Sequence, residues 1–295
     1  MRPGLGGRRR AGRLGQTALA LGLVLSALPA LAILGLLVAR GLPAVDLDFL
    51  VGAPADFLRR GGIGPALWGS VMLSGGAVAV AVPVGVGAAV YLVEYAPPGP
   101  VTRLLRAGVA AVGAVPAAVL GLFGMAAVVG GLGLDVSVLA GSLTLALLAL
   151  PLVVAASEEA LRAVPAEVRE AAAALGATRW QVVRHAVLPA AAGTILTGAV
   201  LAFARVAGEV APLLYTAAAL WRPGPTLDPR ERTMVLSYHV YAAATQVPGL
   251  PQDRLHAAAL VLVILTAGLD LAATWLGRRQ GRRGEGRRWS GARGR

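Results

Sequence analysis

A chain of 295 residues that is 57 % hydrophobic and 14 % charged, with a mean hydropathy of +0.71, has too little polar surface for a soluble domain and reads as an integral membrane protein. It has no cysteine, which excludes disulfides and thiolate metal sites, and no lysine, which excludes a Walker A phosphate loop, so any ATP must be hydrolysed by another polypeptide. All 27 basic residues are arginine; they flank apolar stretches without interleaved aromatics, the pattern of a topology determinant and not of a nucleic-acid surface.

Residues 1–16 form a basic arm carrying Arg2, Arg8, Arg9, Arg10 and Arg13. The first predicted span covers about 17–39. Its Ala27 to Ala32 tract imitates a signal-peptidase site, but the apolar run continues to Arg40, so an uncleaved anchor is expected. A loop-like stretch follows to Pro65. The second span, 66–93, has no charge and many small residues that permit close helix packing. The third, 107–130, contains Val115-Pro116 and Gly121, and the fourth, 138–156, follows a short turn at Asp135. The fifth is read as 190–219, then a polar loop, 220–255, then a sixth span, 257–276, and a basic tail, 278–295.

Six spans place both termini on one side. With both ends in the cytoplasm, the inner segments hold 19 arginines and the outer loops 7, leaving Arg205 in the membrane. This orientation puts 157–189 in the cytoplasm. There Pro165 suits a first helical position, and a helix should run to about Leu175. Gly176 should end it in a left-handed turn, Thr178 and Gln181 can form a capping box for a second helix, and Pro189 should bend the chain into the membrane.

Arg205 and Glu209, four apart in the fifth span, project from one helix face and can pair. A lone charge near the bilayer centre costs about 2.5–3.5 kcal/mol, so both should face the protein interior. Either Arg205 lines an anion path that Glu209 holds or releases, or the pair only fixes packing. Pro212 should kink or unwind the same span. Asp270 in the sixth span suits helix–helix hydrogen bonding, and Trp221 and Trp275 suit the interfacial belts. The three histidines are too scattered for a metal site, with solvent-facing or interfacial roles expected of each.

Three tracts carry a family resemblance. Glu170-Ala171-Ala172, then Gly176, then Leu188-Pro189, resembles the EAA coupling loop of ABC importer permeases. Ala204-Arg205 through Gly208-Glu209 to Ala211-Pro212-Leu213-Leu214-Tyr215 resembles the PstA-type permease subunits of phosphate importers, as does Tyr91 to Pro97. Departures include Ala186, where the EAA loop often has isoleucine, and Ala155 and Val210, where the PstA-type subunits commonly carry arginine and threonine.

The resemblance implies an all-α integral membrane protein of six spans with the type I ABC importer permease fold, in a bacterial inner membrane. It implies a PstC-like permease partner, two PstB-like ATPase subunits that use ATP and Mg, and a PstS-like binding protein, with no cofactor on this chain. Glu170, Ala171, Ala172, Gly176, Leu188 and Pro189 would couple to the ATPase; Arg205, Glu209 and Pro212 would serve the pathway or its gate. The alternatives are an ABC permease for sulfate or molybdate, and an ion-coupled secondary transporter using Arg205, Glu209 and Asp270.

Overall fold

The computed structural model describes residues 5–292 apart from 57, 248 and 250, and the side chains of 16 and 19–278 with the same exceptions. The expected basic arms, 1–16 and 278–295, therefore lie almost wholly outside the described side chains. Helix α1 (Leu5–Gly41) leads through a 3₁₀ turn to α2 (Leu47–Val51), whose N-cap Asp46 accepts a 2.7 Å bond from the Phe49 amide. A two-residue antiparallel pair, β1 (Pro54–Ala55) and β2 (Arg60–Gly61), precedes α3 (Gly64–Val90). The stretch from Gly41 to Pro65, expected to be loop-like, is thus a folded cap of short elements.

Helix α3 gains a wide π-type turn, Tyr91–Tyr95, and α4 (Pro100–Ala114) follows. The third span is not one rod over 107–130: α4 and α5 (Ala117–Phe123, widened over Gly124–Gly131) meet at 102°. Pro116 is the cause, because its ring pushes Val115 to extended backbone (φ −70°, ψ 130°). Helix α6 (Val138–Arg162) begins on a Ser137 cap and passes Ala156 by six residues, so the expected cytoplasmic loop 157–189 starts inside a helix that nothing breaks until Pro165.

The hairpin consists of α7 (Ala166–Ala174) and α8 (Arg179–Val182), the latter running through a wide turn, Val183–Val187, into α9 (Leu188–Ala207). Pro189 makes no sharp bend; the wide turn at Val183–Val187 moves the preceding carbonyls off its ring and the helix continues. The fifth span ends at Ala207 instead of Ala219. An unwound stretch leads to α10 (Leu213–Thr216), then α11 (Leu236–Gln246) and α12 (Gln252–Ala292).

Helices α3, α6 and α9 form the centre, α12 lies against α9, and α1 lies against α12. The close approach of α3 and α6 needs small residues: a Cβ on Gly85 would come within 2.7 Å of Val153 Cγ1. Three apolar clusters stack along this axis. The middle one includes Leu73, Leu145, Val153 and Val206; the cap cluster includes Phe49, Ile63, Met234 and Leu236; the hairpin cluster includes Val90, Leu161, Val182 and Val187.

The cap also absorbs the loop 217–235. The carbonyls of Glu231 and Pro229 accept from Val138 and Leu139 at the start of α6, and Trp68 Nε1 donates to Thr226 O at 2.8 Å. Trp221 is half exposed, as a belt residue would be, but its Nε1 donates to Pro54 O at 3.1 Å. His239 departs from expectation: it is buried on α11, and its Nδ1 has no hydrogen-bond partner among the described residues. Burial pushes its imidazole from 6.5 down to about 4.

Candidate functional site

Arg205 and Glu209 do pair, at 3.4 Å between Nη2 and Oε1, but only Glu209 is turned inward; Arg205 does not face the interior of this chain. The Arg205 side chain is 58 % exposed and that of Glu209 19 %, because Ala204, Val206 and Ala207 occupy the buried face of α9. A helix end separates the two charges: Gly208 terminates α9, and the Glu209 carbonyl leaves the helical ladder to accept from Ser237 Oγ at 2.7 Å.

Depth follows from the antiparallel register with α12. A Cβ on Gly208 would meet Thr266, and one on Gly277 would meet Thr197, so Arg205 lies level with Leu269 and Asp270. At about 1.5 Å per residue that level is about 26 Å from the start of α12. This is well inside the apolar stretch Gln252–Arg278. Asp270 is exposed there, and its backbone carbonyl accepts from Thr274 Oγ1 at 2.8 Å.

Pro212 is buried against α5: a Cβ on Gly121 would come within 2.7 Å of Pro212 Cα. The unwinding starts at Gly208 and continues to Pro212, which lacks the N–H that a continuous helix would need. The expected interruption is therefore a break and not a kink.

At the opposite end, the hairpin has the expected local features. Gly176 turns at φ +80°, and the Thr178 capping box is complete, with Thr178 N donating to Gln181 Oε1 at 2.8 Å. Glu170, Ala171 and Pro189 are exposed, Ala172 and Leu188 half-buried. Leu175, 90 % exposed, and Trp180, 54 % exposed, form an apolar tip that the other described residues leave open.

Two residues that no local sequence signal marks hold the hairpin in place. Arg169 donates to Glu94 at 2.8 Å from Nη2 and 3.2 Å from Nε, and also to Leu161 O and Val164 O at 2.8 and 2.6 Å. Arg179 lies 5.1 Å from the Tyr95 ring centroid. Their partners are seventy-five and more positions away in sequence, so spacing could not reveal them. Nearby, Glu158 is shared by Arg106 and Arg162 beside a cleft of about 400 Å³ between α4 and α6 that also takes in Ala155. Among the described residues, no group of three His, Asp or Glu could hold a metal ion.

Residues 81–283 match the family described as binding-protein-dependent transport system inner membrane component. The chain is 32 % identical over 255 residues to the probable ABC transporter permease protein YqgI of Bacillus subtilis, covering 82 % of this chain and 86 % of that one. It is 36 % identical over 260 residues to the phosphate transport system permease protein PstA 1 of Mycobacterium tuberculosis, covering 86 % and 83 %. The MetNI methionine ABC transporter, inward facing, shares the fold with a TM-score of 0.56 at 20 % identity, over 73 % of this chain and 94 % of that one. A bacterial ABC transporter involved in alginate import does so with a TM-score of 0.57 at 17 % identity, over 92 % and 99 %.

Proposed function

We propose that this chain, which belongs to the family of binding-protein-dependent transport system inner membrane components, is the PstA-type permease subunit of an ATP-driven phosphate importer. Its fold is that of a type I ABC importer permease, and it is a multi-pass, non-catalytic subunit whose ATPase and substrate-binding partners are separate chains. In our reading the homologous partner is PstC-like, two PstB-like subunits hydrolyse ATP with Mg, and a PstS-like protein delivers phosphate. The chain sits in the bacterial inner membrane with both termini in the cytoplasm, which agrees with the arginine excess on that side.

The observation that carries the reading is Arg205: a guanidinium presented outward from the last turn of α9, level with the apolar part of α12 and beside a broken helix, in a chain with relatives named as phosphate permeases. A charge there is tolerable only against protein or water, so its outer face belongs to a pathway shared with the partner permease. Broken helices at this depth also offer unpaired backbone groups to a substrate. Glu209, on the non-helical side of the break, can neutralise Arg205 when the path is empty and release it to an oxyanion.

At the cytoplasmic end, the apolar tip of Leu175 and Trp180, flanked by Glu170, suits docking onto an ATPase. Closure of two ATPases would then draw the two permeases' hairpins together and turn the path outward.

The test is uptake in proteoliposomes containing this chain, its partner permease, the ATPase and the binding protein. Uptake that requires ATP and is competed by phosphate or arsenate but not sulfate is expected. ATP-driven uptake of sulfate would replace the substrate; uptake by this chain alone, driven by an ion gradient, would overturn the assignment.

A further inference from the structure

A motion applied at the hairpin has a covalent route into the membrane along α9, since Arg179–Ala207 forms one helical stretch. Helix α3, the other central helix packed on α6, has no such route. Its cytoplasmic end meets the hairpin only through side chains. The apolar part of that junction, Ala89 and Val90 against Val164, Val182 and Val187, is non-directional and can slide. The polar part cannot.

Arg169 is the fixed point. It is the residue before Glu170, its guanidinium lies partly buried, and its four best bonds divide between two bodies: two to the carboxylate of Glu94 and two to the terminal carbonyls of α6 and the turn that follows. Glu94 is itself nearly buried, with its side chain 10 % exposed, and sits in the wide Tyr91–Tyr95 turn. Two further arginines hold that turn: Arg179 over Tyr95, and Arg106 Nη2 donating to Leu92 O at 3.1 Å. Wide turns of this kind recur at functional positions, and with Arg169, Arg179 and Arg106 all bound to this one, a displacement of the hairpin is passed to the end of α3.

We propose that Arg169 and Glu94 are positioning residues for coupling: a strut through which the hairpin moves α3 in step with α9. The inference rests on the importer reading above and names how the force is divided. Glu170 then serves docking, and its neighbour Arg169 serves transmission.

The chain has no cysteine, which permits a direct test. Arg169→Ala, Arg169→Lys, Glu94→Gln and the double variant Glu94→Cys/Arg169→Cys are assembled with the partner permease, ATPase and binding protein in proteoliposomes. ATP hydrolysis, phosphate uptake and retained ATPase are measured together. Arg169→Ala and Glu94→Gln are expected to keep the ATPase bound and hydrolysing while uptake per ATP falls at least fivefold, and Arg169→Lys to fall between. Bridging the two cysteines with a short bifunctional thiol reagent should restore uptake per ATP, a gain that a mere folding role would not give.

Full coupling in Arg169→Ala would overturn the proposal. So would loss of the ATPase from the assembled complex, which would make Arg169 a docking residue, or a bridged double variant that stays uncoupled. The unsubstituted complex separates the two readings: if it shows no ATP-driven uptake of phosphate or of sulfate, the importer assignment and the strut fall together, whereas normal uptake there with Arg169→Ala still fully coupled removes the strut alone.

Discussion

Gly121 and Pro212 approach so closely that a Cβ on the former would lie 2.7 Å from the Cα of the latter. Gly121 follows the interruption at Val115–Pro116 and Pro212 closes the one at Gly208–Pro212, so the breaks are packed against each other. Gly121→Ala should overpack this joint at a cost of about 1–3 kcal/mol. A lower melting temperature in detergent and reduced uptake are expected; unchanged values of both would mean that the joint has room to yield.

Arg205→Gln keeps hydrogen-bonding capacity and removes the charge that an oxyanion would meet. Uptake should fall at least tenfold with the assembled complex present at normal amounts, and Arg205→Lys should retain more. Because the side chain is largely exposed in this chain, little change in the stability of the isolated subunit is expected. If uptake survives Arg205→Gln, the pair with Glu209 only fixes the helix end.

At Gly176 the φ of +80° penalises β-branched residues, and the space a Cβ would enter is open, with no neighbouring atom within 4 Å, so the cost is conformational alone. Gly176→Val should destabilise the turn by roughly 1–2 kcal/mol and lower uptake per ATP, while Gly176→Asn, which tolerates the left-handed region, should stay near normal. Equal behaviour of the two variants would remove the turn from the coupling mechanism.

His239 gives the cap a pH dependence. Its value is depressed from 6.5 in the unfolded chain to about 4 in the fold, so between these values the unfolded chain binds more protons. Its contribution is complete above pH 6.5 and lost as pH falls towards 4, with a ceiling of about 3 kcal/mol. Thermal melts between pH 7.5 and 4.5 should show that slope, and His239→Leu should flatten it; a slope retained in the variant would place the titration elsewhere.

The order of the apolar stretches is legible in the sequence, because a bilayer requires long apolar runs; among the described residues five helices are long enough to cross, and the six expected are reached only if the bent pair α4 and α5 counts as one span. The hairpin's turn and caps are legible too, because Gly176, Thr178 and Gln181 act over three or four residues. What stays hidden depends on contacts made at long range. The partner of Arg169 is seventy-five positions away, and the face of α9 that carries Arg205 is set by where α3, α6 and α12 pack. The fifth span reads on to Ala219 because Val210–Ala219 is apolar; hydropathy cannot register that Gly208 ends the helix and that Pro212 has no N–H with which to continue it. His239 reads as a loop residue since its burial comes from Phe49, Leu58 and Ile63, far away in the chain.

The continuous stretch from Arg179 to Ala207 has a mechanical corollary. Between Arg179 and Arg205 it is a helical stretch of about 40 Å at 1.5 Å per residue, passing through the wide turn Val183–Val187 and ending at the Gly208 break. A stretch of that length magnifies rotation: a tilt of roughly 10° at the hairpin carries the far end sideways by about 7 Å. Because the helix ends at Ala207, a tilt transmitted along it would displace Arg205 more than any of its residues nearer the hairpin.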